Sequence, residues 1–169
     1  LAIAPLRDRL AAQPHVFGVS GYSGAGTTPS RKNDIEALRD NLMPYALTGH
    51  LHEREMSRQM GIEVRFTPHV AAFFRGIVAT VHLSLAEPVT RDALIALYET
   101  AYRGEPLVRV TGETPEVRDG ADLPGAVVGG FGVSGDGRHV VIVSTLDNLL
   151  KGAAVQAMQN LCLALELPE

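Results

Sequence analysis

Apolar and polar positions alternate most clearly between Gly76 and Leu85. Ile77, Ala79, Val81, Leu83 and Leu85 fall on one side of an extended chain, and Val78, Thr80, His82 and Ser84 on the other. His15 to Ser20, Glu63 to Phe66 and Leu107 to Val110 read as further strands. Ala126 to Val133 and His139 to Val143 flank Ser134-Gly135-Asp136-Gly137, where Asp-Gly between two apolar runs predicts a hairpin. The period changes to helical after Thr90, an N-cap residue type, with Ala93, Leu94, Leu97, Tyr98 and Ala101 on one face. Glu53 to Met60 predicts a helix closed by Gly61, because a left-handed C′ position favours glycine. Shorter pieces are expected as a helix over Ala4 to Gln13, helical turns over Asp34 to Asn41 and a strand over Tyr45 to Leu47. Residues 21–30 and 111–124, rich in Gly, Pro and polar residues, read as loops.

Strands predominate, and the helices do not alternate regularly with them. The expected class is α+β, with a mixed, largely antiparallel sheet and helices on one face. The last helix does not fit a self-sufficient domain. Leu150, Ala153, Ala154, Val155, Ala157, Met158, Leu161, Cys162, Leu163 and Leu165 leave it apolar nearly all round. Such a helix requires cover on more than one side, from a second chain or a further domain.

Composition narrows the function classes. The 169 residues are 46% hydrophobic and 20% charged, enough for one globular core. A net charge of −4 with scattered Lys and Arg argues against a nucleic-acid surface. The single Cys162, deep in an apolar helix, reads as packing, and it excludes an internal disulfide or a Cys-x-x-Cys zinc site. Apolar runs are too short and interrupted for a membrane span. Leu1-Ala2-Ile3-Ala4-Pro5 lacks an initiator Met and reads as a cut end of a soluble intracellular protein.

Candidate chemistry lies in three places. Gly18-Val19-Ser20-Gly21-Tyr22-Ser23-Gly24 has dinucleotide-motif spacing. That motif needs a helix directly after the turn and a second parallel strand, and no βαβ unit is expected here. The alternatives are a flexible loop, or backbone N–H groups with the Ser20, Ser23, Thr27 and Thr28 hydroxyls lining a site for a polar or phosphorylated substrate. In Gly49-His50-Leu51-His52-Glu53-Arg54-Glu55, a helix starting near Leu51 puts His52 over Glu55, a carboxylate able to fix its tautomer for acid/base work. A His-x-His zinc site completed by His69, or two solvated histidines, are the alternatives. His69 itself is expected in a turn, and His82 and His139 as bland strand residues. Arg75, just before the long strand, suits either a bidentate clamp on a carboxylate or phosphate or a solvated surface position. The third place is the strand-to-helix junction at Ser144 to Ala154, whose free helix-start N–H groups suit an anion.

Several words resemble the N-acetyl-γ-glutamyl-phosphate reductases of arginine biosynthesis. They are Asp147-Asn148-Leu149-Leu150-Lys151-Gly152-Ala153-Ala154 with Gln156 and Gln159-Asn160, the Gly49 to Glu55 histidine word, Phe66-Thr67-Pro68-His69 and Arg75-Gly76-Ile77. The resemblance implies a fold like the C-terminal domain of glyceraldehyde-3-phosphate dehydrogenase. Residues 1–147 would form the substrate-binding and dimerisation domain, and residues 148–169 a helix packed on a Rossmann domain outside this chain. It implies NADPH-dependent reduction of N-acetylglutamyl phosphate to the semialdehyde through a thioester. Ala2-Ile3-Ala4-Pro5 matches the end of the family's cysteine segment, so the nucleophile would lie upstream of Leu1 and this chain alone would be inactive. His52 or His50 would handle the proton with Glu55 as orienter, Ser20, Ser23, Gly24 and Arg75 would bind substrate, and Asn148 and Lys151 would face NADP. No metal, nucleic acid or membrane is implied. A homo-oligomer is, in the cytoplasm, or in the mitochondrion for a fungal parent. An aspartate-semialdehyde-dehydrogenase-like substrate domain and a non-catalytic dimerisation module are the rival readings.

Overall fold

Among residues 1–167, which the computed structural model describes, the strands are β1 (His15–Gly21), β2 (Leu42–Pro44), β3 (Arg65–Ala71), β4 (Ile77–Ser84), β5 (Val108–Val110), β6 (Ala126–Val133) and β7 (His139–Leu146). They form one seven-stranded sheet in the order β2-β3-β1-β4-β7-β6-β5. β1–β3 and β5–β6 pair in parallel, and the other neighbours are antiparallel. The mixed, largely antiparallel sheet is therefore as the pattern predicts. The long alternation becomes β4, whose Val81 and Leu83 are buried while His82 is exposed. The Asp-Gly segment closes the β6–β7 hairpin, with Ser134 N donating to His139 O at 2.9 Å.

Helices α1 (Ile35–Leu38), α2 (Leu51–Met60), α3 (Arg91–Ala101) and α4 (Val155–Leu165) complete the regular structure. Thr90 caps α3 by accepting from Ala93 N at 3.2 Å, and Gly61 closes α2 in the left-handed region at φ 68°. One face of the sheet buries Val16, Val81, Leu83, Val128, Phe131, Val140 and Ile142 against Leu6, Leu94 and Tyr98, with Met56 and Met60 of α2 packed at its margin. Both helices thus serve the same core, on the same side of the sheet. The opposite face carries Phe17, Val19, His69, Thr80 and Val141, all half-buried. Beyond a single π-turn at Leu150–Ala154, α4 exposes Met158, Leu161, Leu163 and Leu165.

Four local expectations are corrected. Ala4 to Gln13 is a 3₁₀ turn over Ala4–Arg9, because Ala11 N donates to Ser84 O and Leu10 bridges Leu85, drawing the chain out along the sheet. The short strand is Leu42–Pro44 rather than Tyr45 to Leu47, since Ala46 at φ 44° cannot continue it. His69 lies inside β3, not in a turn. Pro68 is accommodated there because its carbonyl accepts from Tyr45 N, which places the missing N–H on the side of the short edge strand. Finally, β1 and β3 are parallel neighbours joined through α2, so a crossover unit does exist. The glycine segment still does not open a helix: it runs into a 3₁₀ turn, Tyr22–Ala25.

Candidate functional site

On the helical side of the sheet, β1 ends in the glycine segment, α2 begins at the histidine word and β7 gives way to the π-turn. These three junctions surround a cleft of about 610 Å³. Ser20, Gly24, Lys32, Tyr45, His50 and His52 line it, together with His69, Asn148 and Leu149. A neighbouring depression of about 750 Å³ shares Ser23, Gly26 and Leu149 with it but holds no His, Lys or Arg.

The histidines are placed by the start of α2. His50 is the N-cap, and its Nδ1 accepts from His52 N at 3.1 Å. A ring nitrogen that accepts carries no proton, so His50 is the neutral tautomer with N–H at Nε2. Burial, reinforced by the positive fields of His52 and Lys32, holds its pKa below the ordinary histidine value despite Glu55 and Glu53. His52 is freer: 62% of its side chain is exposed, its ring lies 4.8 Å from that of His50, and Nε2 is 3.8 Å from Glu55 Oε2. The expected His52–Glu55 pair is present at ion-pair range but makes no hydrogen bond.

The carboxylate that anchors this loop is another one. Glu53, with 12% of its side chain exposed, accepts from Phe66 N at 3.1 Å and from Gly49 N at 3.3 Å. Sequence reasoning passed over it, although an acidic residue three positions after an N-cap is the capping-box signal. Phe66 then holds the imidazoles in place, its ring 5.3 Å from His50 and 6.2 Å from His52. His69 stacks on Phe17 at 4.4 Å, and no group of three metal-ligating side chains occurs among the described residues.

The glycine segment works differently from the expected N–H nest. Gly21 N donates to Gly76 O at 2.9 Å, Tyr22 N to Phe73 O at 3.0 Å and Ser23 N to Phe74 O at 3.0 Å. Those groups are consumed in holding β1 against the start of β4. What remains for a ligand is hydroxyl and space. Ser20 Oγ donates to Gly21 O at 3.0 Å and Ser23 Oγ accepts from Asn148 Nδ2 at 2.8 Å. Gly24 keeps the cleft open, because a Cβ there would lie 2.9 Å from Ser20 Oγ. Thr27 lines the neighbouring depression instead.

Arg75 and Lys151 do not line the cleft with the histidines, whereas Asn148 does. The Arg75 guanidinium donates to Asp122 Oδ1 and, at 3.1 Å, to Asp147 Oδ1, and its Nε lies 2.7 Å from Asp147 Oδ2 as an ion pair. The carboxylates it clamps are the chain's own. Asp147 is fully buried and also accepts from Asp122 N, Leu149 N and Leu150 N at 2.7, 2.8 and 2.9 Å. Burial pushes its pKa up, but these N–H groups and Arg75 outweigh that and hold it below the usual carboxylate range. Asn148 reaches the cleft wall while its Oδ1 accepts from Gly76 N at 2.6 Å. Lys151 turns to Gln156 and Gln159, in a separate depression beside Tyr102 and Glu105. Lys151 therefore faces away from the cleft, and the N–H groups of Gly21, Tyr22 and Ser23 are engaged by backbone carbonyls.

The cleft's own charge is one-sided. Lys32 and the imidazoles line it, and no Asp or Glu does among the described residues. Lys32, in a Gly- and Thr-rich loop, carried no signal in the sequence. That one-sided charge suits an anionic ligand.

The family described as "Semialdehyde dehydrogenase, dimerisation domain" matches residues 1–148. Curated N-acetyl-gamma-glutamyl-phosphate reductases are similar throughout. That of Stenotrophomonas maltophilia (strain R551-3) is 60% identical over 100% of this chain and 53% of its own length. That of Xanthomonas campestris pv. campestris (strain B100) is 59% identical over 98% and 52%, and that of Xylella fastidiosa (strain M23) 58% over 100% and 52%. The chain thus spans about half the length of these relatives. Among solved structures, aspartate semialdehyde dehydrogenase II from Vibrio cholerae superposes with a TM-score of 0.74 at 18% identity, over 96% of this chain and 58% of that one. A probable aspartate-semialdehyde dehydrogenase from Pseudomonas aeruginosa gives 0.72 at 21%, over 96% and 58%. At such identities these two speak for the fold alone. The chain belongs to the semialdehyde dehydrogenase dimerisation-domain family, and the curated relatives it resembles most of the way along are N-acetyl-gamma-glutamyl-phosphate reductases.

Proposed function

We propose that this chain forms the substrate wall and the proton-handling side of an N-acetyl-γ-glutamyl-phosphate reductase. Its cleft would take the acyl phosphate, and its imidazoles would serve the carbonyl oxygen during reduction to the semialdehyde. The observation that carries the reading is His50 and His52 side by side in a cleft lined by no carboxylate, His50 held neutral by the hydrogen bond its ring accepts and His52 largely exposed within ion-pair range of Glu55. Addition of a thiolate to the acyl carbon moves the carbonyl electron pair onto oxygen. His50 Nε2–H suits a hydrogen bond to that oxygen, and His52 suits delivery and recovery of its proton. Ser20 and Ser23 supply hydroxyls to the bound acyl chain. Cys162 is not among the cleft residues, so the thiolate comes from polypeptide outside this chain. NADP is bound mainly there as well. The apolar side of α4 then finds its cover on that cofactor domain, and the half-buried face of the sheet takes a second copy of the chain. As for its bacterial relatives in arginine biosynthesis, a cytoplasmic location is proposed; no helix among the described residues is long and apolar enough to cross a membrane.

The test uses the full-length parent in the reverse direction, phosphate-dependent oxidation of N-acetylglutamate semialdehyde by NADP⁺. His52→Gln should lower kcat by about 10²–10⁴-fold, the usual scale of a lost acid/base. Unchanged turnover would move the chain to the non-catalytic dimerisation reading. Preference for aspartate semialdehyde would move it to the rival enzyme.

A further inference from the structure

One cation in the cleft has no task in that scheme. Lys32 is the sole Lys or Arg lining it, and no ion pair to Lys32 occurs among the described residues. It is nevertheless held in place. Its Nζ sits 4.8 Å from the centroid of the Tyr45 ring, and Tyr45 stands edge-on to His50 at 5.6 Å. The loop that carries it is fixed by the next residue: Asn33 Oδ1 accepts from Ser30 N, and Nδ2 donates to Gly26 O and Thr28 O, each at 2.8 Å. An ammonium oriented by an aromatic face, half-buried and lacking a carboxylate partner, is arranged for an anion that arrives with the ligand.

We propose that Lys32 is the substrate-anchoring cation of the cleft, pairing with an anionic oxygen, carboxylate or phosphoryl, of the bound acyl phosphate. The inference rests on the cleft being the reductase's substrate site. A compact, rotatable ammonium suits an oxygen that shifts as the acyl carbon changes geometry, and the adjoining imidazoles remain free for the proton. The Tyr45 ring keeps the long side chain from folding out to solvent, which lowers the ordering cost of binding.

Lys32→Met and Lys32→Arg in the full-length enzyme test it. Phosphate-dependent oxidation of N-acetylglutamate semialdehyde should show the loss in KM rather than kcat. A charge-assisted hydrogen bond is worth about a tenfold to hundredfold change. A rise in KM for inorganic phosphate assigns Lys32 to the phosphoryl oxygen, and a rise for the semialdehyde assigns it to the carboxylate. Arg should recover most of the loss because the positive charge is kept; since Arg would also restore a contact with the Tyr45 ring, it is the rise in KM for an anionic ligand that separates anchoring from a structural role. Both KM values within twofold of the parent, or a fall confined to kcat, would overturn the inference. Calorimetric binding of N-acetylglutamate and of phosphate separates this from the reading it rests on. A parent without turnover whose anion binding still weakens in Lys32→Met sinks the reaction and keeps the anchor; equal binding in parent and variant sinks the anchor.

Discussion

Asp147→Asn removes one negative charge from the point where β7, the Arg75 segment and the loop before β6 meet. The carboxylate accepts from Leu149 N and Leu150 N through Oδ1 and from Asp122 N through Oδ2, and it pairs with Arg75 through both oxygens. An asparagine keeps one accepting oxygen for the helix start. Its amide group then faces the Asp122 N–H, donor against donor, and Arg75 Nε, which makes no hydrogen bond even in the parent, loses its ion pair. Each orphaned donor costs about 1–3 kcal/mol, and breaking a buried ion pair from one side costs about 3–5 kcal/mol. These overlap, so the expected loss is about 3–5 kcal/mol, a large part of a typical domain's 5–15 kcal/mol. Urea unfolding followed by circular dichroism reads it as a lowered midpoint at unchanged slope. The same site sets a pH dependence. Because the folded pKa is depressed, its contribution is present above the ordinary carboxylate value and is lost as pH falls through the lower folded value. The variant should therefore show a flatter acid limb between those two points. A midpoint shift of less than about 1 kcal/mol, or an acid limb like the parent's, would refute the reasoning.

Two further outcomes follow from the site. Gly21→Ala would place a Cβ 2.6 Å from Phe74 O and 2.8 Å from both Arg75 N and Phe73 O. Backbone cannot give way there, so a loss of about 1–3 kcal/mol is expected by thermal melting, and an unchanged Tm would show the β1–β4 junction to be looser than described. His50 should titrate below the ordinary histidine value of about 6.5 when followed by imidazole NMR. The sign is that of a group kept neutral: its stabilising share is full above that value and is lost on acidification, as Nδ1 gains a proton and can no longer accept from His52 N. A His50 midpoint at or above the ordinary value would remove the tautomer assignment.

The local elements were largely legible because their signals span few residues. The period-two run of β4, the Thr90 cap of α3, the Asp-Gly hairpin and the Gly61 stop each follow from dihedral preferences or side-chain spacing within a turn or two. The histidine word was legible too, including the face that His52 shares with Glu55. The errors came where a distant partner overrode a local preference. Leu10 left its helix to meet Leu85, and Pro68 sat in a strand because the neighbouring strand ends beside it. The crossover between β1 and β3 is not legible in the sequence, since parallel pairing leaves no turn signature.

What the chain's order of residues determined alone was most of the longer strands and helices, the apolar surfeit of the last helix and the family words. Which side chains share a cleft was decided by tertiary structure. Arg75 reads as a free clamp until Asp147, 72 residues later, is folded onto it. Lys32 reads as an ordinary loop lysine until Asn33, Tyr45 and His50 are brought round it. The reason is physical: backbone geometry sets periodicity over a few residues, whereas charge pairing and desolvation depend on which segments the sheet register brings together.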